Sequence, residues 1–207
     1  MKGGDTMNSE TLVVDRADTS AIETTVGVLR HGGLAVLPCD TIYGLSGLVD
    51  ISETRLRNVK RRPETKPFIL LATFAMAREI CQGKLPDGLE ETWPAPLTAI
   101  LRDKKGGTTA VRVPADPFLQ GVLEGCGRPI YSTSVNTSGE PPLLTFDGIL
   151  EEFGGKVELM VRGPADQGTR ASTLIDCTKS PYAVLRQGAF DASWLTGRSL
   201  SDVRPLA

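Results

Sequence analysis

The chain has 207 residues, 40% of them hydrophobic, which suits one globular domain able to bury a substantial core. A net charge of −2 argues against a protein that coats nucleic acid through bulk positive charge, and one histidine with four scattered cysteines argues against a structural zinc site. Scattered thiols suit a reducing compartment, no run of about 18 apolar residues exists to span a bilayer, and the opening MKGGDTMNSE has no apolar signal core, so cytoplasmic residence is the expectation.

Residues 1–10 read as a flexible tail, and residues 11–14 as a first short strand. Ser20 and Glu23 match a capping box that opens a helix running to about His31, and Gly32-Gly33 stops it. Residues 34–37 form a compact apolar strand cut off by Pro38. A helix begins between Asp50 and Glu53 and reaches Arg61 before Pro63. Further strands are expected at 68–71, 97–101, 110–113, 130–132, 157–161, 174–176 and 183–185, and helices at 73–81, 117–124 and 146–153. Strands and helices mix without strict alternation, which predicts an α/β or α+β fold on a mixed twisted sheet. The expected organisation is a single domain over residues 11–190 with a C-terminal extension at 191–207.

Several segments next to predicted strands carry polar side chains suited to a ligand. Pro38-Cys39-Asp40-Thr41-Ile42-Tyr43-Gly44 offers two hydroxyls and a carboxylate, and fits an ordinary turn equally well. Lys60-Arg61-Arg62-Pro63-Glu64-Thr65-Lys66-Pro67 gathers four cations where a helix meets a strand. Such cations either hold phosphate or simply favour the helix C-terminus, and the two prolines favour a fixed, charge-presenting loop. No Walker A or dinucleotide fingerprint is present, so a nucleotide's phosphates need dispersed cations such as Lys60, Arg62, Lys66, Arg112 and Arg186. Arg112 lies inside an apolar strand on the face of Thr108 and Ala110, where it needs an acceptor, either an anionic ligand or a nearby Asp. The hydroxyl-rich run from Ser132 to Gly139 suits an anion-binding loop or a cap. His31 reads as a helix-end residue, and Cys39, with no histidine to activate it, as a small loop residue.

In order, these segments resemble the signature of the YrdC-type family of threonylcarbamoyl-AMP synthases. Residues 38–45 resemble its P-T-[DE]-T-x-Y-G-L loop, and Lys60-Arg61-Arg62 its K-x-R element, followed by Lys66-Pro67-Phe68. Trp93-Pro94-Ala95-Pro96-Leu97-Thr98 resembles W-P-G-P-x-T, and Val111-Arg112-Val113-Pro114 resembles V-R-x-P. Ser134-Val135-Asn136 resembles S-x-N, Ser172–Asp176 the late S-T-x-x-D strand, and Leu185-Arg186-Gln187-Gly188 the closing L-R-x-G. Cys39 departs from a usual threonine and Ala95 from a usual glycine. Longer members carry a second domain that this chain is too short to hold.

The resemblance implies a twisted mixed sheet flanked by helices around a concave basic cavity. It implies that ATP, L-threonine and bicarbonate give threonylcarbamoyl-AMP and pyrophosphate, with Mg²⁺ carried by ATP. A downstream threonylcarbamoyl transferase complex then modifies adenosine 37 of tRNA, and a direct tRNA contact is possible for this chain as well. Carried onto this sequence, it makes Lys60, Arg62, Ser134 and Asn136 the catalytic set, which also binds ATP together with Thr108 and Arg186. Thr41, Arg112, Ser132 and Ser172 are then expected to hold threonine, with Arg112 suited to its carboxylate. The alternatives are a paralogue of the same fold that binds nucleotide or RNA but adenylates another acceptor or none, a carbamoyl-handling adenylating relative, and a non-catalytic RNA-binding module.

Overall fold

The computed structural model describes residues 10–81, 83–164 and 168–196. The first half of the chain forms β1 (Leu12–Asp15), α1 (Ala21–Arg30), β2 (Leu34–Leu37), β3 (Gly44–Leu48), α2 (Glu53–Lys60), β4 (Ile69–Leu71), α3 (Phe74–Ile80), α4 (Leu89–Thr92) and β5 (Leu97–Arg102). The second half forms β6 (Thr108–Arg112), α5 (Pro117–Cys126), β7 (Ile130–Ser134), α6 (Phe146–Phe153), β8 (Leu159–Arg162), β9 (Thr173–Asp176), β10 (Ala183–Arg186) and α7 (Ser193–Thr196). Among the described residues these strands make one ten-stranded sheet in the order β1-β8-β2-β3-β7-β4-β6-β5-β9-β10. Parallel pairs such as β2–β8 and β4–β6 alternate with antiparallel ones such as β3–β7, so the sheet is mixed, as the sequence predicts.

Side-chain alternation explains how the sheet is covered. Leu34 to Leu37 are all buried, because Ala35 and Leu37 pack in the cluster under α1 and α5, while Leu34 and Val36 pack with Leu56, Ile149 and Phe153 of α2 and α6. Each such Leu or Val contributes about 1.5–3 kcal/mol. At the other end of the sheet, Leu97, Ala99, Val111 and Ile175 pack with Trp93, Leu89 and Leu195. Ala192 and Leu195 are buried there, so the core takes in the first residues of the expected C-terminal extension. Residues 197–207 and most of the expected N-terminal tail lie outside the described residues.

Three local readings change. The capping box does not form: Ser20 sits at φ −88° and ψ −4° and makes no side-chain cap. Its carbonyl already accepts from Thr24 N, and Asp18 O satisfies Ala21 N, so a turn does the work of the cap. β3 was legible only as a loop, because Gly44 and Gly47 dilute its strand signal. Gly47 is required by close packing: a Cβ there would stand 2.6 Å from the Cβ of Ser52. The short helices α4 and α7 had no periodicity long enough to read. Among the described residues no helix is long and apolar enough to cross a membrane.

Candidate active site

The strand registers bring distant polar residues onto one face. Gly44 lies opposite Ser134, and Ser46 opposite Ser132. Ser132 lies opposite Ile69, and Leu71 opposite Arg112. This is the face that carries Ala35 and Leu37, but α1 and α5 cover only its apolar part, through Leu48, Leu71 and Ile130. Beyond them a cavity of about 170 Å³ opens, lined by Thr41, Arg62, Arg112, Ser132, Ser134, Ser172 and Arg186 among others. Seven of the ten site residues expected from sequence therefore meet there. A Cβ on Gly44 would stand 2.7 Å from Ser132 Oγ. A larger groove of about 450 Å³ on the opposite face, lined by Leu70, Thr109 and Arg128, gathers none of them.

Arg112 is 4% exposed and answers the question its position raised. Its Nη2 forms an ion pair with Asp40, its Nη1 donates to Thr41 Oγ1 at 2.9 Å, and its Nε faces Ala95 O at 3.4 Å. A guanidinium has five N–H donors, so two remain for a ligand carboxylate. Asp40 Oδ2 is buried with no hydrogen-bond partner among the described residues. Cys39 donates to Asp40 Oδ1 at 3.3 Å, and burial pushes its thiol pKa up against the opposing pull of Arg112. It is a protonated loop residue.

Lys60 is the last residue of α2 and only 1% exposed. The helix stops there because Arg61 takes a left-handed conformation, φ 51°, and Arg62 N returns to Arg57 O. The Lys60 ammonium donates to Ser134 O at 2.5 Å, Asn136 Oδ1 at 2.6 Å and Asn136 O at 3.1 Å. Ser134 Oγ also donates to Asn136 Oδ1 at 2.7 Å, and Asn136 Nδ2 donates to Thr137 O and Glu140 O. Lys60 and Asn136 thus stand behind the cavity wall and fix the end of β7. Burial and the Arg62 charge push the Lys60 pKa down to about 8, while the three oxygens hold its proton.

Arg62 both builds its loop and lines the cavity. Its Nε donates to Lys66 O at 3.1 Å and its Nη2 to Pro67 O at 2.8 Å, while Arg57 Nη1 donates to Pro63 O at 2.9 Å. The guanidiniums of Arg57 and Arg62 stand 4.8 and 5.1 Å from the Phe68 ring. The cation loop is therefore rigid because arginines tie down the carbonyls around the two prolines. Burial, with Arg57 nearby, lowers the Arg62 pKa.

Across the cavity, Arg186 donates to Ser172 O at 2.9 Å, and Ser172 Oγ is 2.8 Å from Thr98 Oγ1. Thr98, which also lines the cavity, was not among the expected ligands. Its signal was its place at the end of the Trp93–Thr98 turn. Thr108 is not brought to the site: it is exposed at the far end of β6, opposite Arg102. Alternation put it on the face of Arg112, but four residues of strand separate the two by about 13 Å. His31 caps its helix, with Nδ1 2.8 Å from Gly27 O.

A family model for Sua5, YciO and YrdC proteins, described as telomere recombination, matches residues 27–188. A threonylcarbamoyl-AMP synthase of Pyrococcus abyssi is 32% identical over 85% of this chain and 56% of its own length. One from Vibrio campbellii is 29% identical over 80% of this chain and 98% of its own. The crystal structure of P. abyssi Sua5 complexed with L-threonine superposes with a TM-score of 0.78 at 29% identity, covering 86% of this chain and 58% of that one. The chain thus spans little more than half of the archaeal relative and nearly all of the bacterial one. With the fold, the motif order and the cavity in agreement with that match, the chain belongs to the Sua5/YciO/YrdC family.

Proposed function

We propose that the chain is an L-threonylcarbamoyladenylate synthase, a nucleotidyltransferase that makes threonylcarbamoyl-AMP and pyrophosphate from ATP, L-threonine and bicarbonate. The observation that carries this is the buried Arg112 with two uncommitted donors beside the hydroxyls of Thr41, Ser132 and Ser172. That set suits a small hydroxylated amino acid, and the likeness to Sua5 complexed with L-threonine supports it. The cavity, at about 170 Å³, is smaller than the ~300–1,000 Å³ of drug-sized sites. It matches an amino acid, with the nucleotide reaching in from Arg62 and Arg186.

The chemistry needs alignment and charge neutralisation more than covalent help. Threonine's amine and bicarbonate give a carbamate with loss of water. A carbamate oxygen attacks the α-phosphorus, and the bond to pyrophosphate breaks. Arg112 would orient the threonine carboxylate, and Arg62 and Arg186 would bind phosphate oxygens. Ser134 would turn its one hydroxyl proton from Asn136 Oδ1 to the α-phosphate, from a position that Lys60 and Asn136 fix. Mg²⁺ would be carried by the triphosphate, where it would neutralise phosphate charge. Transfer of the product to tRNA by a separate complex, any direct tRNA contact and cytoplasmic residence follow from the same reading.

The test is pyrophosphate release from Mg-ATP by purified protein, with threonine and bicarbonate added separately and together. Release that requires both is the expected result. ATP binding without release would move the assignment to a paralogue with another acceptor.

A further inference from the structure

β8 and β9 are joined by a connection of which residues 163–164 and 168–172 are described. The described parts of this connection touch the rest of the chain at three places near the cavity loops. Gly163 N donates to Tyr43 OH at 2.8 Å. At Gly168 a Cβ would stand 2.1 Å from the carbonyl oxygen of Thr41 and 3.1 Å from its Cα. At Ala171 the carbonyl accepts from Ala189 N at 2.9 Å, and a Cβ on Gly188 would stand 2.2 Å from it.

The connection therefore bears directly on the loop before β3, backbone against backbone, at the residue whose hydroxyl accepts from Arg112. Neither a backbone carbonyl nor a Cα can give way as the tip of a flexible side chain can. We propose that Gly168 is a positioning residue for the amino-acid subsite: its missing side chain lets its own backbone press on Thr41, which sets the Thr41 hydroxyl and the Arg112 guanidinium. The proposal deepens the threonine reading above and rests on it for its kinetic half, while its structural half stands alone.

Gly168→Ala and its exposed neighbour Thr169→Ala are compared with the unchanged protein by KM for threonine, KM for ATP and kcat. Hydrogen exchange at residues 38–44 is measured without ligands. Gly168→Ala is expected to raise the threonine KM about tenfold or more, leave the ATP KM within about twofold, and speed exchange in the loop. Thr169→Ala should change neither. Unchanged threonine KM and unchanged exchange in a folded Gly168→Ala protein would overturn the proposal. Should Gly168→Ala fail to fold, Tyr43→Phe removes the acceptor of Gly163 and is expected to raise the threonine KM about threefold, and no change there overturns it equally. Faster exchange in Gly168→Ala, with no threonine-dependent turnover even in the unchanged protein, would keep the brace and remove the proposed function instead.

Discussion

Two buried cations stand on either side of the cavity and are accommodated in opposite ways. Arg112, at 4% exposure, meets a carboxylate, that of Asp40. Lys60, at 1%, meets three neutral oxygens from Ser134 and Asn136 and has the like charge of Arg62 nearby. The difference separates two jobs. A matched charge is a stable platform on which a ligand can sit. A charge held only by dipoles fixes backbone geometry at some expense in stability, because burial disfavours its charged form.

Breaking the matched pair should have the largest effect on the fold. Asp40→Ala leaves Arg112 buried without an anion, which typically destabilises by about 3–5 kcal/mol. Urea unfolding should show that loss, and a change below about 1 kcal/mol would mean that Thr41 and Ala95 suffice to hold the guanidinium.

The exposed and cavity-lining arginines of the cation loop sharpen the comparison at the level of chemistry. Arg61 is exposed beyond the helix end, whereas Arg62 lines the cavity and holds the loop carbonyls. Arg62→Ala should lower kcat/KM about a hundredfold or more, as loss of a group that stabilises transition-state charge does. Arg61→Ala should stay within about threefold. Equal effects in pyrophosphate release would remove Arg62 from the phosphate site.

Lys60 yields a pH-dependent prediction. Its folded pKa, about 8, lies below the unfolded value of about 10.4. Between those values the unfolded chain binds the extra proton, so this residue's contribution to stability rises with pH across that window. Below about pH 8 both states are protonated and the penalty of the buried charge is fully present. The unfolding free energy of the unchanged protein minus that of Lys60→Met should therefore grow from pH 8 to pH 10, by at most about 3 kcal/mol. A difference that is flat or falls with pH would mean that the three oxygens hold the charged form as firmly as water does. Turnover should move the other way, because a neutral amine has one donor fewer for Ser134 and Asn136.

This contrast also marks what the sequence could and could not tell. The run Leu34–Leu37 announced a compact buried strand, and Arg112 in an apolar strand announced a need for an acceptor, which Asp40 meets within the chain. Both rest on alternation, a local rule. The separation of Lys60 from Arg62 was illegible, because both match one motif and only the left-handed turn at Arg61 sends one behind the wall and the other into the cavity. Asp40 as the partner of Arg112 was equally out of reach, since the two are 72 positions apart in sequence. The fold was legible wherever a face repeats, and the site only as a set of residues whose division of labour depends on the sheet order.

Thr108 carries the smallest expected effect and the cleanest test of that last point. It shares a strand and a face with Arg112, and the family resemblance implies that it is an ATP ligand. Its place is the exposed start of β6, opposite Arg102, about 13 Å along the backbone from Arg112 at the other end. At that distance its hydroxyl touches nothing bound beside Arg112, and an exposed threonine contributes within about ±0.5 kcal/mol to stability. Thr108→Ala should therefore leave both the ATP KM and the urea midpoint unchanged, while Arg112→Ala on the same strand should abolish threonine-dependent release. A selective rise in the ATP KM of Thr108→Ala would show that a bound nucleotide extends along β6 well beyond the cavity, and the phosphate site would have to be redrawn from that end of the strand.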